Sequence, residues 1–130
     1  MPMATSEAHF STIAKDLASL VDDQDLGHAV LLCHTPPHRT KLDRAALDSK
    51  LVNHAAVDVH IGSIAVRRLI ETRNPMLSLH GHVHESARLT DAWRDRIGRT
   101  NIFSTVHEGP ELSLVHSRMQ NPEAAERELL

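Results

Sequence analysis

The sequence predicts a single α/β domain of the layered α+β kind, in which a mixed β sheet is flanked by helices. Three observations carry that expectation. Two short apolar runs, His28-Ala29-Val30-Leu31-Leu32-Cys33-His34 and Met76-Leu77-Ser78-Leu79-His80, read as strands buried on both faces. Between them Ile64, Val66, Leu69 and Ile70 recur at helical spacing, giving a helix that runs into the second strand. The 130 residues, 41% of them hydrophobic, are enough for one modest core and argue against a second domain.

Composition bounds the function. With 14 Lys+Arg against 17 Asp+Glu the formal charge is -3, so no electrostatic footprint for nucleic acid or an anionic membrane surface is present. No run of about 18 apolar residues is present, and the start MPMATSEAHF lacks a basic region followed by an apolar stretch, so a cytoplasmic location is expected. The single Cys33 excludes an internal disulfide and reads as a small buried hydrophobe. Aromatics make up only 2%, so the core should be built from Leu, Val, Ile and Ala. Eleven histidines, by contrast, call for a reason.

Taken in order, Phe10, Ile13, Leu17, Leu20 and Val21 place a helix from Ser6 to about Asp22, with Ser6 as its N-cap. Asp22-Asp23-Gln24-Asp25 is a solvated connection without the pattern of a calcium loop. The first strand follows and is stopped by Thr35-Pro36-Pro37, which leaves His34 at its exit. Leu42 to Val52 is expected to form a short helix starting near Asp43. Ser63 caps the next helix, which ends before Asn74-Pro75. The second strand closes in Gly81-His82-Val83-His84-Glu85. Residues 86 to 100 are polar, with Trp93 and Gly98 as anchors. Asn101 to Val106 and Glu111 to His116 are expected as a hairpin joined by His107-Glu108-Gly109-Pro110, and the charged tail Gln120 to Leu130 as a frayed helix.

The histidines at the two strand ends are the candidates for chemistry. If the strands are neighbours in one sheet, His34, His82 and His84 meet at a common edge, the place where α/β sheets present functional groups. Alternate residues on an extended chain face opposite ways, so His82 and His84 are placed to address two neighbouring ions rather than to chelate one. Neutral imidazole suits zinc, iron, manganese and nickel alike.

Gly81-His82-Val83-His84-Glu85 after an apolar strand resembles the closing signature of the calcineurin-like metallophosphoesterases. Val30-Leu31-Leu32-Cys33-His34-Thr35-Pro36-Pro37 is similar to the block that precedes it in that family, and His60-Ile61-Gly62-Ser63 and Arg96-Ile97-Gly98-Arg99-Thr100 are also similar to stretches of its members. The resemblance covers about residues 28 to 116. It implies half of a sandwich of two mixed sheets, and a hydrolase of phosphate esters, small molecules or phosphoproteins, with two divalent ions. In it His34 and His82 would bind one ion and His84 the other, with Arg39 and His60 flanking the substrate pocket.

The sequence also departs from the family. The Asp-x-His, Gly-Asp and Gly-Asn-His blocks that supply the remaining ligands are expected ahead of the His34 block, yet the five glycines are followed by His28, Ser63, His82, Arg99 and Pro110. The organisation expected is therefore an N-terminal helix and connection (1–27), the C-terminal half of a phosphoesterase-like domain (28–118) and a tail (119–130). A half-domain leaves an apolar sheet face uncovered, so self-association or pairing with a separate N-terminal half is expected. Two alternatives stay open. One is a non-catalytic remnant or interaction module that keeps the fold and one metal. The other is a self-contained site in which Asp58 and His60, an Asp-x-His in the wrong place, replace the missing ligands. His9, His38, His54 and His116 are expected to have no role, and His107 and Glu108 are left unassigned.

Overall fold

The structure is a computed structural model that describes residues 5–52 and 55–130, with side chains at 12–46 and 59–130. His54 lies outside the described residues, and the side chains of Ser6, His9, Phe10 and Asp58 lie outside the described side chains. The fold is α+β: a mixed four-stranded sheet in the order Val30–Cys33, Leu77–His80, Thr100–Ser104, Arg94–Ile97, flanked by helices, with two separate two-stranded ribbons.

Helix α1 (Thr5–Val21) matches the amphipathic spacing of the N-terminal stretch, and Leu17 packs against the core. Strand β1 (Val30–Cys33) pairs in parallel with β4 (Leu77–His80), Val30 opposite Leu77 and Cys33 opposite His80. β4 pairs in parallel with β6 (Thr100–Ser104), which turns back antiparallel onto β5 (Arg94–Ile97) through Gly98 in the left-handed region, φ 57°. Gly98 makes this turn, and at the other end of the hairpin Trp93 lies against Phe103, ring centres 5.7 Å apart. Helix α2 (Ile64–Arg73) is capped by the Ser63 hydroxyl, which accepts the Val66 N–H, and it ends at Asn74 with φ 50°. Its buried face, Ala65, Val66, Leu69 and Ile70, joins Leu42, Ile97 and Ile102 to make an aliphatic core. Because α2 feeds directly into β4, its N-terminus returns to the edge of the sheet where β1 and β4 end.

Four expectations are corrected. The run 28–34 is not buried on both faces: β1 is an edge strand, and Leu32 is 73% exposed. A continuous apolar run cannot distinguish a covered strand from one whose covering surface lies elsewhere. Residues 42–52 form no helix; Arg44–Val52 is strand β2, antiparallel to β3 (Ala55–His60). The Asp43 carboxylate, expected near a helix start, instead accepts the N–H groups of Arg39, Thr40 and Gly62, so it is unavailable as a cap. The expected hairpin of 101–106 with 111–116 is absent too. β7 (Ser113–Arg118) pairs with β8 (Asn121–Leu129), which occupies the tail assigned to a frayed helix. The helix formers of Glu123 to Leu129 yield to strand pairing once a partner lies across a tight turn. The expected boundary at 118/119 thus falls at the tip of that ribbon, which is tied back by Arg127 to the Val106 carbonyl. A five-residue helix α3 (Ser86–Thr90) completes the fold. No helix among the described residues is long and apolar enough to cross a membrane.

Candidate functional site

The two strands carrying the histidines are neighbours and end level with each other. Cys33 is opposite His80, and one residue further the Gly81 N–H donates to the His34 carbonyl at 2.9 Å. A Cβ at Gly81 would meet His34 Nδ1 and Val106 Cγ1 at 3.4 Å, which places this residue in contact with both. His82 adopts φ 71°, a conformation that L-residues reach only at a cost and that turns its ring back toward β1.

As a result His82 Nδ1 lies 3.2 Å from His34 Nε2. The ring planes cross at 69° with their centroids 5.0 Å apart, only 1.8 Å more than the 3.2 Å between the nitrogens. That increment is less than the width of one imidazole, so the rings do not meet nose to nose in line. Two nitrogens 3.2 Å apart and each about 2.1 Å from one ion subtend roughly 100° at it. This is the angle of a pair of ligands on one tetrahedral or octahedral centre. The two nitrogens are thus close enough to share one ion, and at 3.2 Å they are equally at hydrogen-bond distance from each other.

His84 is not part of that pair. Its Nδ1 donates to the His107 carbonyl at 3.3 Å, and the ring lines an open cleft of about 540 Å³ with Arg88, His107, Glu108 and Arg127. In that cleft Arg127 donates to His107 Nδ1 at 3.1 Å while His107 Nε2 faces the Glu111 carboxylate at 2.9 Å, so the proton sits on Nε2. Arg88 pairs with Glu108 at 2.7 Å and holds that carboxyl below the usual range. Among the described residues no group of three or more His, Cys, Asp or Glu side chains is arranged to hold a metal ion. The described side chains thus bring His34 and His82 together and leave His84 in a separate cleft.

Two residues that the sequence reading passed over organise the edge. His80 is 2% exposed, and burial holds its imidazole down to about pKa 4, partly offset by bonds to the Thr35 and Cys33 carbonyls. Ser78 and His80 are polar residues two apart on one face of a central strand, a pattern that announces a buried hydrogen-bonded pair. Asp43 is fully buried and gathers, besides the three backbone N–H groups above, His60 Nδ1 at 2.5 Å. His38 Nδ1 stands 3.7 Å from its other oxygen. Nothing in the local sequence distinguishes this aspartate from a solvated one, because its partners arrive from positions 38 to 62. His60 thereby turns Nδ1 inward, with its side chain 36% exposed. Arg39 is exposed in the loop after Pro37 with φ 57°, and it does not join the His34–His82 pair. Burial raises the Cys33 thiol above its ordinary pKa, which makes it a poor nucleophile. His116 faces Glu128 at 3.4 Å on the distant ribbon.

Fold and edge together define a class: an α+β domain that presents a convergent histidine pair at the ends of adjacent parallel strands. Over 100 residues, 75% of its length, the chain is 30% identical to an uncharacterized protein of Methanocaldococcus jannaschii. It spans 38% of that relative's length. No family model matches the chain, and no solved structure matches it.

Proposed function

We propose that this chain supplies the histidine side of a metal-dependent phosphoesterase, a hydrolase of phosphate esters of the calcineurin-like type. The observation that supports it most is the angle set by His34 and His82, which suits one divalent ion of manganese, iron, zinc or nickel. The order of the two histidine blocks along the chain supports it further. Two neutral imidazoles leave an ion's charge uncompensated, so hydrolysis needs carboxylate ligands from a complementary polypeptide, with His84 turned from its cleft toward a second ion. A cytoplasmic setting accompanies this reading, in keeping with the lone half-buried cysteine.

Calorimetry of the purified chain with manganese or zinc tests it. One ion per chain is expected, lost in His34→Ala and His82→Ala and retained in His84→Ala. No binding by the unaltered chain would end this reading. A second reading, a non-catalytic module that keeps the fold and one metal, is supported by the lack of a three-ligand group among the described residues. Metal-stimulated turnover of an aryl phosphate ester would decide against it.

A further inference from the structure

We propose that His80 is a positioning residue for His34: it holds the carbonyls of the residues before and after that histidine and so sets the angle at which His34 meets His82. The inference rests on the reading that those two imidazoles share an ion.

His80 closes β4 and lies level with Cys33 in the neighbouring strand. Its Nδ1 faces two carbonyl oxygens, those of Cys33 and Thr35, each at 3.1 Å. Both are acceptors, so Nδ1 carries the proton and donates to the two as a fork. Cys33 and Thr35 are the residues immediately before and after His34. Nε2 is thereby left as an acceptor, and the Ser78 hydroxyl donates to it, which fixes the tautomer. Main-chain bonds complete the clamp. The His34 carbonyl accepts the Gly81 N–H at 2.9 Å, and the His80 carbonyl accepts the N–H and hydroxyl of Thr105 at 2.9 and 3.0 Å.

The carbonyls of Cys33 and Thr35 are thus held by one buried ring and that of His34 by the Gly81 N–H, while the His34 side chain is exposed. Without that ring the carbonyls of Cys33 and Thr35 would lose the donor that ties them to β4, and the chain at His34 would be held by its main-chain bond to Gly81 and, further on, by the Ser63 N–H to Pro36 carbonyl bond. An apolar side chain could fill the same space without needing any hydrogen-bond partner. An imidazole there supplies what an apolar group cannot, a donor reaching across to two carbonyls. Groups that orient a metal-binding histidine act on affinity through geometry, without touching the ion.

Two nearly isosteric substitutions separate this role from core filling. In His80→Asn the amide nitrogen takes the place of Nδ1 and keeps the fork to the carbonyls; in His80→Gln it falls near Nε2 and the fork is lost. Each full-length variant would be read by the nuclear Overhauser contact between the His34 and His82 rings without metal, and by calorimetry with zinc alone. His80→Asn should keep the ring contact and zinc affinity within about threefold, whereas His80→Gln should lose the contact and bind zinc about 10- to 100-fold more weakly. His80→Ala, which has no donor, replaces His80→Gln if that variant does not fold.

A donor-less variant that keeps the ring contact overturns the proposal. So does loss of the contact in folded His80→Asn. If the parent binds no zinc, the ion reading falls, while the ring contact still decides the role of His80.

Discussion

A methyl group at Gly62 would sit 2.6 Å from the Pro36 carbonyl oxygen and 2.7 Å from the carbonyl of Pro37, all of it backbone that cannot swing aside. The contact seats the loop leaving His34 on the turn that opens α2, alongside the Ser63 N–H to Pro36 carbonyl bond of 2.8 Å. Gly62→Ala is therefore expected to destabilise the fold by about 1–3 kcal/mol in urea denaturation. A parent-like midpoint would refute this. His80 makes the fold sensitive to acid. Its pKa falls from 6.5 to about 4 on folding, so between those values the unfolded chain binds a proton that the folded chain rejects. The contribution is complete above about pH 6.5 and is lost as pH drops toward 4, on the order of 3 kcal/mol over that window. Urea midpoints measured from pH 7 to 4.5 should fall less steeply in His80→Asn than in the parent; identical slopes would rule this out.

Among the elements, α2 was the most legible because its signals are local: a serine cap, apolar residues three and four apart, and Asn74-Pro75 as a stop. Ser63→Ala should cost about 1 kcal/mol, read as a shifted midpoint with an unchanged denaturant slope, since one N–H of the first turn loses its acceptor. β4 was equally plain. β2 and β8 were not, because Arg44–Val52 and Asn121–Leu129 are rich in residues that suit helices and become strands through partners. β1 was found as a strand but misplaced in the sheet, because apolar character records that a surface is to be covered and not what covers it.

At the scale of the molecule, Leu32 at 73% exposed puts apolar surface on an edge strand. Association of the chain with itself or with a complementary half is expected on that account. Light scattering across a range of concentrations should show it, and Leu32→Lys should weaken it; a monomer at all concentrations would count against both. The amino-acid order alone determined the two histidine-bearing strands and the capped helix between them, since each follows from spacing along a few residues; the extended chain expected to alternate His82 and His84 is instead a turn, with His82 at φ 71°. Only the tertiary structure decided that His34 and His82 converge while His84 turns to another cleft, and that Asp43 and His80 are buried supports. Those outcomes depend on strand register, a left-handed turn and carbonyls brought together from some 45 positions apart. No local pattern encodes such distances.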